Sequence, residues 1–368
     1  MSTQSRYVLP VGEMGWALDA PVRTEFTWEY DQGRSDLLAL YEKGKRQQWN
    51  AVDRIDWEQD LDPENPMALP DETISLYGSA LWDRLSPKQV RDLRRYLQAL
   101  QISQFMHGEQ GALICAAKIV QQVQGVDAKF YAATQVVDEA RHVEAYARLL
   151  HDKFDIVFPI NPQLRSLIGD VIERREWDFT YLGMQVVIEG LALAAFQGIR
   201  DNAKNRLAAQ VNAYVMQDEA RHVAFGRLAL RDYYPQLSDS ERDRREAFLV
   251  EACYLMRDRL QPSFAWEAAG LDVDECLEVH EASLAATKFR ARLFSRIVPT
   301  VRDIGLWGPR VRKAFEDLGA IQFADRDSAA MLEEDNRVAE EHDAKNMIEK
   351  AVSELAGEAT PRDGVTPA

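Results

Sequence analysis

The 368-residue sequence holds only three cysteines, Cys115, Cys253 and Cys276, and no Cys-x-x-Cys pair. That argues against a disulfide framework or a thiolate metal site, and makes a reducing cytosol the expected setting. No unbroken apolar run approaches about 18 residues, so no membrane span is expected. Met1 to Trp16 lacks a basic stretch leading into an apolar core, so no secretion signal is expected. Positive charge is scarce: 44 Lys and Arg stand against 60 Asp and Glu, a net charge of −16. Such a balance disfavours nucleic acid and anionic membranes and serves solubility; docking a basic redox partner is a lesser use of it. No glycine-rich flavin or nicotinamide fingerprint is present.

Strand-like alternation is also sparse, whereas helical periodicity is abundant and 46% of the residues are hydrophobic. Residues to about 34 read as irregular, with Pro10, Gly12, Gly15, Pro21 and Gly33. A short helix is expected from Asp36 to about Gln48. Ser86-Pro87 reads as an N-cap followed by proline at the first helical position, opening a long helix to about Gln124. Gly125 ends that helix, and Asp127 is expected to cap the next, which runs to about Phe154. Further helices are expected over about 162–173, 177–200, 204–233, 239–260, 272–296, 308–317 and 328–355, with Asp201-Asn202 as a link. The chain thus divides into an extension over 1–85, a bundle over 86–234, further helices over 235–356, and a disordered tail over 357–368.

One pentapeptide occurs twice. Asp-Glu-Ala-Arg-His stands at Asp138–His142 and again at Asp218–His222. Each copy contains Glu-x-x-His. On a helix, positions i and i+3 lie about one turn apart on one face, so both side chains can bind one ion. A pair of ions inside a four-helix bundle also takes one Glu from each of the other two helices. Glu109 and Glu189 are lone acids in largely apolar stretches, and a buried carboxylate needs a cation beside it. Glu109 lies about 16 residues before Gly125, and Glu139 about 12 after Asp127. These are roughly 24 and 18 Å of helix, so an antiparallel hairpin brings the two nearly level. Glu189 and Glu219 repeat this arrangement with the same separation, as an internal duplication. His107, His151, His280 and His342 read as structural or solvated.

These residues resemble the diiron-carboxylate oxidoreductases of the ferritin-like superfamily, among them ribonucleotide reductase small subunits, soluble desaturases and bacterial monooxygenase hydroxylases. The likeness covers about residues 87–232. Gln48-Trp49-Asn50 and Ile55-Asp56-Trp57 are similar to an element ahead of the bundle in reductase-like members. The resemblance implies an all-α, ferritin-like four-helix bundle with a long crossover and flanking helices. It implies that Glu109, Glu139 and His142 serve one iron and Glu189, Glu219 and His222 the other, with some carboxylates bridging. Four carboxylates and two imidazoles suit Fe/Fe or Mn/Fe better than zinc. Asp138 and Asp218 would orient the ligand histidines, and Arg141 and Arg221 would neutralise those aspartates. Tyr146, four residues after His142, matches the radical tyrosine position of reductases and is a candidate redox residue.

The implied activity is an O2-dependent diiron monooxygenase or oxidase that hydroxylates or dehydrogenates a small organic or acyl substrate. The alternatives are a ferritin-like ferroxidase and a Mn/Fe ligand-binding oxidase with a redox tyrosine. A cavity beside the metals is expected, lined by Phe105, Ala112, Leu113, Cys115 or Ala116, Gln185, Leu193, Phe196 and Phe225. A separate ferredoxin or reductase would supply electrons, and a homodimer is expected. Departures from the family pattern stand at Ala192 and Leu193, where desaturases and hydroxylases respectively carry a Thr. N-oxygenases of the superfamily add a third His four residues before the last Glu; Val215 occupies that position and speaks against a three-histidine site.

Overall fold

A computed structural model describes residues 6–11, 15–30 and 33–358, with side chains described to residue 345. The described residues form helices and no strand; Tyr7 and Val157 make an isolated parallel bridge. The tail from 359 lies outside the described residues.

Two antiparallel hairpins form the centre. Ahead of them lies α1 (Ser35–Arg46). The first hairpin is α2 (Pro87–Gln122) and α3 (Val126–Arg148). Helix α4 (Pro162–Glu173) crosses over to the second hairpin, α5 (Trp177–Asn202) and α6 (Arg206–Tyr233). Helix α7 (Asp239–Asp258) packs on α4 and α5, α8 (Ser328–Glu358) lies along α6, and α1 bridges α3 and α6.

Local chemistry sets these boundaries. Ser86 accepts from Gln89 N while the Gln89 side chain accepts from Ser86 N, a reciprocal capping box with Pro87 at the first helical position. Asn161 and Asn205 cap α4 and α6 in the same sense. Lys118, buried on α2, donates to the carbonyls of Val171, Ile172 and Arg174 at 3.2, 2.8 and 2.6 Å and so closes the C-terminus of α4.

Several expectations are corrected. Asp127 does not cap α3; its carboxylate accepts from the backbone N–H groups of Gly33 and Arg34, anchoring the segment before α1. Asp201 and Asn202 are helical, and the link is 203–205. The helix expected over 272–296 breaks at Ser283, whose hydroxyl caps the second piece. Short helices at Ser263–Ala268 and Ile297–Asp303 carried no boundary signal strong enough to be read. Helix α5 is apolar enough on average to cross a membrane, but 94% of its apolar window is buried inside the protein. It is the core helix of the bundle, expected over 177–200.

Two segments widen into π-helix, Leu149–Phe154 after α3 and Leu182–Ile188 within α5. The second ends immediately before Glu189. In an α-helix successive four-residue steps drift by about 40°. The wider π turn opposes that drift along a column of Tyr181, Gln185 and Glu189, and Trp177 packs on Tyr181 one turn before it.

Candidate metal centre

The four bundle helices bring Glu109 (α2), Glu139 and His142 (α3), Glu189 (α5), and Glu219 and His222 (α6) together in the interior. Glu109, Glu139, His142 and Glu219 form one group of converging ligand atoms, and Glu139, Glu189 and His222 a second. Glu139 is common to both. The Nδ1 of His142 stands 3.2 Å from Glu109 Oε2, 3.2 Å from Glu139 Oε2 and 3.1 Å from Glu219 Oε1. The Nδ1 of His222 stands 3.1 Å from Glu139 Oε1 and 3.5 Å from Glu219 Oε1.

One nitrogen facing three carboxylate oxygens is more than a single N–H can serve. Among the described residues Glu189 Oε2, both Glu219 oxygens and His222 Nδ1 are buried without a hydrogen-bond partner. Neighbouring ligands on an octahedral ion with bonds of about 2.1 Å stand about 3 Å apart. The residues present therefore fit a pair of hard cations held by oxygen and imidazole nitrogen.

Without metal the centre holds protons instead. Burial, reinforced by Glu219, pushes the Glu109 and Glu189 carboxyls well up. Burial also raises Glu139, but the two histidines outweigh it and hold that carboxylate down. Burial lowers both imidazoles; their carboxylate partners overcome it and leave His142 and His222 well above the ordinary value.

Each of these two histidines is oriented from the other hairpin. His142 Nε2 lies 3.1 Å from Asp218 Oδ2, and His222 Nε2 lies 3.2 Å from Asp138 Oδ2. Those contacts fix the proton on Nε2 and leave Nδ1 as the donor atom toward the centre. Each aspartate pairs through Oδ1 with the arginine of its own pentapeptide: Arg141 donates to Asp138 at 2.6 Å, and Arg221 to Asp218. Arg141 also reaches Asp218 at 2.9 Å. The segment after α1 completes the network. Gln48 donates to Asp138 at 2.7 Å, Trp49 Nε1 donates to Asp218 at 2.8 Å, and Arg221 donates to Gln47 at 2.8 Å.

A family model described as the p-aminobenzoate N-oxygenase AurF matches residues 31–305. The chain belongs to the AurF family. It is thus an O2-dependent oxidoreductase of the ferritin-like diiron superfamily, with a two-iron cofactor. No curated protein sequence matches it. Similar solved structures include an aldehyde deformylating oxidase from Synechococcus, 17% identical, TM-score 0.45, covering 63% of this chain and 98% of that one. An R2-like ligand-binding oxidase is 15% identical, TM-score 0.49, covering 76% and 96%. The ribonucleotide reductase Rnr4 homodimer from Saccharomyces cerevisiae is 14% identical, TM-score 0.49, covering 77% and 83%.

Val215 is fully buried, one turn before Glu219. The matching position ahead of the first pentapeptide, one turn before Glu139, is Gln135, whose Nε2 donates to Glu139 Oε1 and Glu189 Oε1, both at 3.0 Å. The duplication is therefore asymmetric one turn before each Glu-x-x-His: a glutamine on the Glu189 side, a valine in the other copy. Tyr146 is buried, packs against Phe105 and Phe196, and donates to Asn212 at 3.2 Å rather than to a ligand. Of the expected lining, Ala112, Ala116, Gln185, Leu193 and Phe225 are buried, and Leu113 is half-buried. Sequence reasoning missed Gln47 and Gln135, and gave Gln48 no contact with Asp138. It placed Trp49 only in an element similar to one ahead of the bundle in reductase-like proteins, whereas the indole bonds the aspartate behind His142.

Proposed function

We propose that this protein oxygenates a small organic molecule at the buried centre, with Glu109, Glu139, His142, Glu189, Glu219 and His222 as the iron ligands. Glu139, common to both groups of converging atoms, would be a shared ligand, and Glu219, whose Oε1 stands 3.1 Å from His142 Nδ1 and 3.5 Å from His222 Nδ1, would be held beside it. The observation that supports this is the convergence of six buried donors in two groups that share Glu139, with atoms of Glu189, Glu219 and His222 left without a hydrogen-bond partner. Bound iron supplies the redox chemistry of O2 reduction. The chain's own residues hold that chemistry in a dry interior. Asp138 and Asp218 keep the imidazole protons on Nε2, and Arg141 and Arg221 balance the aspartates. Gln135 holds Glu139 and Glu189 side by side.

The family's description makes an aromatic amine the first substrate to try, with hydroxylation or dehydrogenation of other small or acyl molecules as the further outcomes. Electrons are proposed to come from a separate ferredoxin or reductase, and the active form is proposed to be a homodimer. The test is anaerobic loading with Fe(II), admission of O2, and absorption spectroscopy. About two irons per chain and a transient oxidised species support the reading. Absence of iron binding, or unchanged metal content in Glu139→Ala and Glu219→Ala, refutes it.

A further inference from the structure

The two sides of the centre differ. Beside Glu109 the rings of Phe105, Tyr146 and Phe196 pack on one another at 4.6–5.9 Å, and the Tyr146 hydroxyl is satisfied by Asn212. Beside Glu189 the polar groups are unsatisfied. Tyr131 Oη, Tyr181 Oη, Gln185 Oε1 and Glu189 Oε2 are all buried and find no hydrogen-bond partner among the described residues. A buried polar group left unpaired is costly, so native structures rarely keep one without a use.

These groups are contiguous. Phe225 lies between the two tyrosines, with ring centroids 4.4 Å from Tyr131 and 5.1 Å from Tyr181. Gln185 reaches Gln135 at 3.4 Å, and Gln135 holds Glu139 and Glu189. The column also leads outward. Tyr181 packs edge-on against Trp177 at 5.3 Å, and Trp177 lines a cleft of about 590 Å³ between Pro21–Glu25, the end of α2 and the start of α5. Trp177 lies twelve residues before Glu189, about 18 Å along α5.

We propose that the substrate binds on the Glu189 side, in a niche formed by Tyr131, Tyr181, Gln185 and Phe225 and entered from the Trp177 cleft, and that it is a small, flat, uncharged molecule bearing a hydrogen-bond acceptor. This rests on the metal-centre reading above. The tyrosine hydroxyls donate to the acceptor, and the Gln185 carbonyl accepts from any N–H or O–H on the same molecule. Phe225 gives a ring face. An anion is disfavoured because none of the four niche side chains carries a positive charge to pair with it in the buried interior.

Benzamide is the probe, with benzoate as its anionic counterpart, titrated calorimetrically into anaerobic Fe(II)-loaded protein whose iron content is measured in every sample. Benzamide is expected to bind more tightly than benzoate. Tyr131→Phe and Tyr181→Phe, which remove one oxygen each, are expected to weaken it about fivefold apiece with iron content unchanged. Absence of benzamide binding, tyrosine variants that bind like wild type, or a loss produced instead by Tyr146→Phe overturns the niche. Iron uptake with no tyrosine dependence sinks this proposal alone. Tyrosine-dependent binding to a chain that takes up no iron sinks the metal reading alone.

Discussion

Replacing Asp218 with asparagine tests how the two pentapeptides are wired. The carboxylate accepts from His142, Trp49, Arg141 and Arg221, and not from His222, four residues after it in its own pentapeptide. Loss of its charge weakens the hold on the His142 imidazole and lowers that ligand's basicity. Removing such a partner of a ligand histidine costs about 10–100-fold in metal affinity, or about 1.4–2.7 kcal/mol. The decisive assay is a double-mutant cycle read by Fe(II) affinity, pairing Asp218→Asn with His142→Ala and, separately, with His222→Ala. Asp218→Asn is expected to add little once His142 is gone, and to exert its full effect when only His222 is gone. Circular dichroism on each variant separates lost affinity from lost fold. Coupling to His222 instead of His142 would refute the crossed wiring.

Trp49→Phe keeps the ring but removes the donor to Asp218, and is expected to destabilise the protein by about 1.5–3 kcal/mol in urea denaturation. An unchanged midpoint would mean that the indole bond contributes nothing. Lys118→Met leaves three carbonyls at the end of α4 unmet inside the protein and should cost roughly 2–4 kcal/mol by the same measurement. Burial pushes the Cys115 and Cys253 thiols up to about 12 each. The unfolded chain releases these protons near pH 8.5–9, while the folded chain retains them. Stability should therefore fall as pH rises above about 9, and neither thiol should react with a disulfide reagent at pH 8 until the chain is unfolded. Rapid labelling of the native protein would contradict that.

The six converging residues could be picked out in the sequence because their signal is local. Glu-x-x-His is a helical spacing, and the distances from Glu109 and Glu189 to the turns needed only the rise of a helix. The crossed contacts were not legible, because a pentapeptide invites pairing within itself, and the choice between its own histidine and the other depends on how two hairpins dock. The Gln48 and Trp49 contacts span 90 and 169 residues of chain, beyond any periodic signal. The π turn before Glu189 escaped because a 3.6-residue period is assumed in every helical reading. Tyr131 and Tyr181 carry no signal in the sequence; only their unpaired hydroxyls mark them out. Val215 was legible as a departure, yet it did not separate the chain from the family its sequence matches.

The crossed hydrogen bonds also bear on assembly. Each hairpin can neutralise its own aspartate through its own arginine, but neither can orient its own histidine. A half-folded chain with one hairpin formed would present an imidazole free to turn and carboxylates still in contact with water. The centre becomes a binding site only when both hairpins have docked, so iron capture comes at the end of folding and reports that the two halves have met.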